Sequence, residues 1–333
     1  MIELLSVPSL LTVQDNGRRD YRKLGVPVSG FMDDYSARIA NYLVGNPGNA
    51  PLLEFLLTGP TMRFNASAVF AVAGDVKVKL NGVPVEPWTS YWGKRGDVLE
   101  VRTLKSGLYG YIAFAGGVKC EKLLGSCSAY PRANLGRPLK AGDRLSLSYA
   151  ILTGREGRYL SPELRPDYSS KEREIRVVLG PNLEHFSETG VKTFLSKAYT
   201  VTSESDRMGY RMDGPVIGHS QKGAGIVTEP LIPGAVQVPA NGRPIVMMRD
   251  AQTTGGYAKI GTVISADLHL LAQSRPGTRV WFRAVGVEEA QEILRRREKT
   301  LKAIEGFLAG EMGAYRIKIG EEERIAFTKV EKS

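Results

Sequence analysis

Short strand-forming runs separated by turn residues recur along this chain. The clearest run is VKVKLNGVPVE at 76–86, where apolar and polar residues alternate up to Asn81-Gly82. An Asn-Gly pair between alternating runs indicates a β-hairpin, because a type I′ turn needs positive φ at both central residues. Further runs rich in β-branched and aromatic residues lie at 68–74, 97–102, 108–117, 144–150, 175–180, 199–203, 244–250 and 279–285. The chain is therefore predicted to be all-β.

Two segments have helical rather than strand-like spacing. The first, at 31–45, places Asp33 where it would cap a helix N-terminus and Gly45 where the helix would stop. The second, at 287–308, places apolar residues along one side of a helix. A few short helices are therefore expected beside the strands, and Asp33 is interpreted as a helix cap.

The chain is long enough for two domains of ordinary size, with 333 residues. Residues 154–174 are polar, charged and proline-containing without a sustained period, which is typical of a linker. DNGRRDYRKLGVPVSG at 15–30 shares its order of Asp, Arg, Tyr-Arg, Gly, Pro, Val and Gly with SDRMGYRMDGPVIG at 205–218. We therefore predict a boundary near residue 165, and the shared order is consistent with either chance or a duplication.

The net charge of +10 comes from basic residues that are scattered along the chain. The densest basic run, at 295–299, lies in a helical pattern interrupted by an acidic residue, which is typical of a solvated face. No nucleic-acid partner is therefore expected. A small anionic substrate or a partner protein with an acidic face accounts for the charge, because a basic surface attracts anions.

The two cysteines, Cys120 and Cys127, lie in a Gly/Ser-rich segment and match no zinc or redox spacing. They are predicted to be free thiols in a reducing cytoplasm. No apolar stretch approaches the roughly 18 residues that a membrane span needs, so no membrane partner is expected.

Most familiar catalytic motifs are absent from this sequence. It contains no GxxxxGK[ST] phosphate loop, no GxSxG elbow, no HExxH and no GxGxxG. Its three histidines, at 185, 219 and 269, support neither a metal site nor a histidine-centred triad. No Met-Lys-Met sequence is present, so the chain is not expected to carry biotin itself.

The first polar segment that could carry chemistry is TSESDRMGYRMDGP at 202–215. A loop there could present Asp206, Arg207, Tyr210 and Arg211 to one ligand. Arginine suits this role because its planar fork binds carboxylate or phosphate oxygens in pairs. A local Asp-Arg ion pair that holds a tight loop explains the segment equally well, and both interpretations stay open.

The second such segment follows the apolar run at 244–250. Paired glycines allow close backbone approach, and neighbouring hydroxyl and amide groups can hold a polar substrate. Asp250 is a candidate acid, base or water-orienting group, and Lys259 could stabilise developing negative charge. A hairpin turn with polar loop residues is the alternative. The candidate binding residues of this segment are Gln252, Thr253, Gly255, Gly256 and Tyr257.

Several long phrases together resemble one known family. They are TVQDNGR, GVPVSGFMD, SDRMGYRMDGP and DAQTTGGYAKIGTVISADLHLLAQSRPG, in the right order within roughly residues 1–285. The chain is similar to the family of KipA and the 5-oxoprolinase C subunit, also called allophanate hydrolase subunit 2-like, which includes part of the carboxyltransferase domain of urea carboxylase. The resemblance implies two tandem cyclophilin-like β-barrels, at 1–165 and 166–285, with a helical and strand tail at 286–333 packing on the second.

The same resemblance implies an activity and a set of partners. The family's reaction is ATP-dependent hydrolysis of 5-oxo-L-proline to L-glutamate, carried out in the cytoplasm with the A and B subunits of 5-oxoprolinase, the second of which is KipI-like. The chain is expected to be inactive alone, with an ATP site that its partners could share. No metal-ligating residue is assigned, and the metal requirement of the reaction stays open. The implied catalytic residues are Asp206, Asp250 and Lys259, and the implied substrate-binding residues are Arg207, Tyr210, Arg211, Gln252, Thr253, Gly255, Gly256 and Tyr257.

Two other functions stay open at this point. One is a carboxyltransferase component that acts on a urea-like amide, with biotin supplied in trans by another protein. The other is a regulatory protein that antagonises a KipI-like kinase inhibitor, as KipA does. A neighbouring reading frame for the A subunit would favour the oxoprolinase, whereas a lone KipI-like neighbour next to a sensor kinase would favour regulation.

Overall fold

A computed structural model describes residues 1–151, 154–319 and 322–329. Its first half forms one sheet with one α-helix, α1 (Asp34–Leu43). The strands of this half are β1 (Ile2–Ser6), β2 (Leu11–Gln14), β3 (Leu52–Leu56), β4 (Thr61–Phe64), β5 (Ala68–Leu80), β6 (Val83–Val85), β7 (Ser90–Gly93), β8 (Val98–Phe114) and β9 (Arg144–Leu145). We call these nine strands the N-terminal sheet.

The second half contains a closed barrel, a two-stranded ribbon and a C-terminal tail. The remaining helices are α2 (Glu188–Ser196), α3 (Leu268–Ala272) and α4 (Val287–Leu308). Short 3-10 helices lie at Arg19–Leu24, Pro131–Ala133, Pro162–Leu164 and Leu183–His185. The remaining strands are β10 (Glu172–Leu179), β11 (Tyr199–Val201), β12 (Gly209–Asp213), β13 (Gly225–Pro230), β14 (Ala235–Gln237), β15 (Ile245–Met247), β16 (Thr254–Tyr257), β17 (Lys259–Val263), β18 (Arg279–Ala284), β19 (Met312–Ile319) and β20 (Glu322–Lys329).

The prediction of an all-β fold with two barrel-like units is confirmed. The C-terminal barrel closes in the order β10-β17-β14-β15-β12-β11-β18. The N-terminal sheet runs in the order β2-β3-β8-β4-β1-β9, with β5 pairing β6, β7 and β8. It curls around a core of its own because β8, at 17 residues, pairs with β3, β4 and β5 along different parts of its length.

The predicted hairpin at 76–86 is present between β5 and β6. Leu80 pairs with Val83 across the turn, and Asn81 and Gly82 have φ of 53° and 79°. These are the positive values that the two central residues of a type I′ turn require. The local sequence therefore decided this hairpin.

Both predicted helices are present. The Asp33 side chain accepts a hydrogen bond from the Ser36 backbone N–H at 3.0 Å, which confirms it as the N-cap of α1. The longer helix, α4, spans the predicted residues 287–308.

The tail helix α4 contacts both units. Leu301, Ile304 and Leu308 are buried in a hydrophobic core that also contains residues of α1 and of the barrel. Ala290, Ile293 and Leu294 pack beside Ile264, Ala266 and Val285 of the second half. Residues of α4 therefore pack against both halves, and the predicted division of the chain into 1–165, 166–285 and 286–333 stays a prediction. Residues 320–321 and 330–333 of the tail lie outside the described residues.

The prediction of two free thiols is wrong, because Cys120 and Cys127 form a disulfide. The chain turns back between them, with a bridge from Leu123 to Ser126, and this brings the two Cα atoms to 5.8 Å. That separation suits a disulfide. The prediction compared the cysteine separation only with zinc-binding and redox motifs, and such a comparison does not detect a turn between the two cysteines.

None of the helices in the described part of the chain has the length and apolar character needed to cross a membrane.

Candidate active site

Arg207 and Asp250 are brought together in a buried ion cluster between the two halves. Arg207 donates from Nε to Asp250 Oδ2 at 2.8 Å and from Nη2 to Asp250 Oδ1 at 3.1 Å. Its Nη1 pairs with the carboxylate of Glu54 on β3, and its Nη2 also donates to Gly30 O at 2.8 Å. We call Glu54, Arg207 and Asp250 the inter-half ion cluster.

Burial and charge decide the electrostatics of this cluster. The side chains of Arg207, Glu54 and Asp250 are 11%, 3% and 7% exposed. Burial would lower the pKa of Arg207, but the carboxylates of Asp250 and Glu54 raise it. Burial raises the pKa of Glu54, although Arg207 opposes the shift. Arg207 is therefore firmly cationic, and its donors are already committed to protein acceptors.

The loop at 202–215 does not present its four candidate side chains to one ligand. Tyr210 is buried, and its hydroxyl donates to Ala272 O at 2.6 Å, while burial raises its pKa well above the usual value. Arg211 follows it on β12 and is 54% exposed, because consecutive strand residues point to opposite faces. Asp206, at 49% exposed, pairs with Arg132 at 3.0 Å. The Asp206 carboxylate also accepts from the Met208 backbone N–H at 2.8 Å, so it holds the loop in shape.

Lys259 belongs to a separate polar cluster on the barrel. Its ammonium pairs with the carboxylate of Glu229, and their side chains are 6% and 40% exposed. Asn182 Oδ1 accepts from the Lys259 backbone N–H at 3.0 Å, and Asn182 Nδ2 lies 3.4 Å from Glu229 Oε2. The hydrogen bond from Lys259 lowers the pKa of Glu229. We call Asn182, Glu229 and Lys259 the lysine cluster.

The lysine cluster can stabilise negative charge at the protein surface. A mostly buried ammonium is a strong electrostatic partner, because little water competes for it. Its carboxylate partner is partly exposed, so an anionic group of a substrate would reach the ammonium by displacing that carboxylate. In the described part of the chain, the hydrogen bonds and ion pairs of Lys259 do not reach Arg207 or Asp250. The predicted catalytic residues therefore fall in more than one place.

The paired glycines lie in a two-stranded ribbon made of β13 and β16. A Cβ atom added to Gly255 would lie 2.6 Å from both Gln237 Nε2 and Leu231 Cδ1, whereas one added to Gly256 would meet nothing closer than 3.5 Å. Close approach therefore matters at Gly255, and the approaching atoms are the protein's own. Tyr257, at the end of β16, is 48% exposed.

The two other candidate binding residues precede the ribbon. Gln252 is exposed, and the carbonyl of Thr253 accepts from the Leu231 backbone N–H at 2.8 Å. The Thr253 backbone therefore anchors the base of the ribbon. The Gln252 side chain faces solvent, where it can reach a ligand.

The carboxylates that complete the two clusters, Glu54 and Glu229, were not among the residues predicted from the sequence. Glu54 stands alone in the apolar strand LLEFL, and a single charge inside such a strand is a signal that could have indicated it. Glu229 and Asn182 lie in segments without any comparable pattern. Their role follows only from the position of Lys259 beside them.

Comparisons with known proteins agree with this fold. The family model described as carboxyltransferase domain, subdomain A and B, matches residues 24–284. The chain belongs to this family. The C subunit of Haemophilus influenzae 5-oxoprolinase is 36% identical over 309 residues, which cover 91% of this chain and 97% of that protein. This confirms the resemblance noted from the sequence.

This carboxyltransferase-domain chain is similar to one part of each of two larger proteins with solved structures. TTHA0988 is 36% identical with a TM-score of 0.77, over 85% of this chain and 55% of that chain. Kluyveromyces lactis urea carboxylase is 29% identical with a TM-score of 0.86, over 91% of this chain and 29% of that chain. The chain thus spans about half of the first protein and under a third of the second.

The family match contains both polar clusters but ends before α4. Residues 24–284 include Glu54, Arg207 and Lys259, whereas α4 begins at Val287. The tail helix α4 therefore lies outside the family match, and it packs on residues that lie inside the match.

Proposed function

We propose that this chain is the C subunit of an ATP-dependent 5-oxoprolinase, which hydrolyses 5-oxo-L-proline to L-glutamate together with the A and B subunits. The observation that carries the proposal is the 36% identity to a 5-oxoprolinase C subunit over 97% of that protein's length. The same proposal includes a cytoplasmic location and a KipI-like B subunit. The chain is proposed to be inactive alone, because it would supply one part of a shared site.

The lysine cluster is proposed as the part of the site that stabilises charge. A lactam carbonyl is a poor electrophile, and ATP would supply the phosphoryl group that activates its oxygen. ADP would leave in that step, and water attacking the ring carbon would then open the ring and release phosphate. Lys259, mostly buried, would stabilise negative charge on the transferred phosphoryl oxygens, while the partly exposed Glu229 would give way to the substrate. Exposed Gln252 and Tyr257 beside the ribbon are proposed to contact the substrate.

The remaining predicted residues are proposed to act in different ways. Asp250 is a positioning residue, because both of its oxygens accept hydrogen bonds from Arg207. Tyr210 is proposed to support the same region through its buried hydroxyl. Arg211 is exposed and has only a loose ion pair, to Glu204 at 4.0 Å, so it is proposed to contact the substrate. Asp206 is proposed to hold the loop in shape, because both of its oxygens accept hydrogen bonds within the protein.

The test is reconstitution of the complete enzyme. This chain is purified with the A and B subunits, and ATP-dependent glutamate release from 5-oxoproline is measured with each protein omitted in turn. We expect release only when all three are present. Full activity without this chain would overturn the proposal.

The second candidate function is a carboxyltransferase component that uses biotin in trans. The fold similarity to Kluyveromyces lactis urea carboxylase favours it. The same assembly is incubated with a carboxylated biotin carrier and urea, and transfer of the carboxyl group is measured. Transfer without 5-oxoproline turnover would favour this function, and a stable complex with the KipI-like partner that performs neither reaction would favour the regulatory role.

A further inference from the structure

A cleft of about 820 Å³ lies between the two halves and α4. Its walls come from the 3-10 helix at Arg19–Leu24, from α1, from the barrel loops and from α4. Five arginines line it, and we call it the arginine cleft. They are Arg19, Arg22, Arg38, Arg249 and Arg297.

The two most buried of these arginines share one carboxylate. Arg297 Nη2 lies 2.7 Å from Asp34 Oδ1, and Arg249 Nη2 lies 3.8 Å from the same oxygen. The Nε atoms of both arginines are buried and have no hydrogen-bond partner in the described structure. Their side chains are 10% and 16% exposed, so water compensates them poorly. Arg297 Nη1 also lies 3.9 Å from Glu298 Oε1, a carboxylate that pairs with Arg38. The buried Nε donors of the pair nevertheless remain without an acceptor in the described structure.

The other arginines add charge at the rim. Arg19 has one weak contact, to Asn16 Oδ1 at 3.4 Å, and neither Arg19 nor Arg22 forms an ion pair within the described residues. Arg38 is neutralised by Glu298 at 2.8 Å. Burial lowers the pKa of Arg249, although Asp34 opposes the shift. Three acids, Asp34, Glu298 and Glu305, face the five arginines in the lining, so the cleft keeps an excess of positive charge, and Arg19 and Arg22 carry it without an ion-pair partner within the described residues.

Phosphate oxygens suit this arrangement of charge best. Guanidinium groups bind phosphate oxygens through paired, charge-assisted hydrogen bonds, and several arginines together suit an anion that carries several charges. The volume lies within the range of small-molecule sites. Apolar Ile232, Leu268 and Leu294 provide a wall against which a base could pack.

We propose that the arginine cleft binds the phosphate groups of a nucleoside triphosphate. Naming that nucleotide as ATP rests on the proposed oxoprolinase function, whereas the affinity of the cleft for polyphosphate does not. Because Arg297 and Leu294 belong to α4, beyond the match at 24–284, the tail helix completes this site.

The test measures binding by the isolated full chain, using calorimetric titration with ATP and, separately, with inorganic tripolyphosphate. The double variant Arg19→Gln/Arg22→Gln removes two rim charges that have no ion-pair partner within the described residues. We expect it to weaken binding of both ligands about 10-fold or more, since about 1.4 kcal/mol of lost contact corresponds to tenfold. Tighter binding of ATP than of tripolyphosphate would show that the base also contacts the cleft.

The matched control is Arg295→Gln/Arg296→Gln on the outer side of α4. These side chains are 67% and 76% exposed, and the change in net charge is the same. We expect the control to bind as the unchanged chain does. A second variant, Arg249→Gln, tests the interior of the cleft, with its melting temperature measured alongside.

Three results would overturn the proposal: no saturable binding of either ligand, equal weakening by the two double variants, or unchanged binding in Arg249→Gln. An acidic peptide as the true occupant would appear as the first of these. If the assembly turns over 5-oxoproline but the cleft binds no nucleotide, the proposal for the arginine cleft is rejected and the proposed oxoprolinase function stands. Cleft binding without turnover would instead reject the proposed function.

Discussion

Lys259 and Arg207 are both mostly buried cations, but their partners differ. Arg207 donates to two buried carboxylates and a carbonyl, so its bonding capacity serves the protein itself. Lys259 pairs with one carboxylate that remains partly exposed. A ligand can therefore compete for the lysine without leaving a buried charge unpaired. At the residue scale, this difference separates a group suited to chemistry from one suited to holding the structure.

Lys259→Met is expected to remove activity while leaving the fold intact. Methionine fills similar space, but the ammonium that would stabilise developing charge is lost, so kcat should fall by roughly 100–1,000-fold. Glutamate release by the reconstituted enzyme measures the effect, with melting temperature as the check on folding. Lys222→Met is the control, because Lys222 is 59% exposed and pairs only loosely with Glu184 at 4.0 Å. Retained activity in Lys259→Met would contradict the proposed role.

Arg207→Met is expected to destabilise the fold strongly. It leaves the carboxylates of Glu54 and Asp250 buried without their counter-ion, which costs about 3–5 kcal/mol in the free energy of unfolding. Urea denaturation measures this loss. Arg211→Met is the matched control four residues on, where the 54% exposed side chain should make the change worth about 0.5 kcal/mol or less. Similar losses in both variants would show that the ion cluster is not a link between the halves.

At the scale of elements, the β13–β16 ribbon depends on how closely its base meets the barrel. Gln237 on β14 donates from Nε2 to Tyr257 O at 3.4 Å, and the same amide lies against Gly255. The ribbon leads directly into β17, which carries Lys259. A shift at the base of the ribbon therefore changes the surroundings of the lysine cluster.

Gly255→Ala is expected to disturb the ribbon, whereas Gly256→Ala is not. The new Cβ at 255 would overlap Gln237 and Leu231, and overpacking of this kind costs about 1–3 kcal/mol. At 256 the nearest atom is Ile226 O at 3.5 Å, an ordinary contact. Thermal unfolding of the two variants measures the difference. Equal stability would mean that the ribbon moves freely enough to accept the methyl group.

At the scale of the whole molecule, one hydrophobic core crosses from the first half to the second. It contains Val69 and Tyr111 of the N-terminal sheet, Ile175 and Val236 of the barrel, and Ile304 of α4. Two barrel-like units thus share apolar contacts as well as the inter-half ion cluster. Neither unit can lose its structure without exposing part of the other.

The chain is therefore expected to unfold in one cooperative transition. Ile304→Ala, at a fully buried position, should lower the free energy of unfolding by about 2–5 kcal/mol and move the whole transition to lower denaturant, because the cavity forms in the shared core. Lys302→Ala on the exposed side of α4 is the control. Fluorescence and far-UV circular dichroism should report the same denaturant midpoint. Two separate transitions, with only one affected by Ile304→Ala, would show that the halves unfold independently.

Local pattern was enough to predict much of the fold. Alternation of apolar residues, the Asn81-Gly82 turn, the Asp33 cap and the span of α4 depend on neighbours within a few residues, so the sequence states them directly. Asp250 and Lys259 could be proposed as site residues from the same kind of local pattern, because both belong to a polar segment that follows the apolar run at 244–250.

Only the tertiary structure decided which of these residues meet. Arg207 and Glu54 are 153 residues apart, and Arg297 and Asp34 are 263 apart. Such contacts depend on how the sheet, the barrel and α4 are packed, and no local pattern records that packing. The sequence by itself therefore determined the strand-rich character, the hairpin turn, α1, α4 and the candidate groups, whereas strands such as β3 and β12 and the helices α2 and α3 became visible only in the structure. Folding decided that Arg207 is committed to buried carboxylates, that Lys259 keeps a solvent-facing partner and that five arginines surround one cleft.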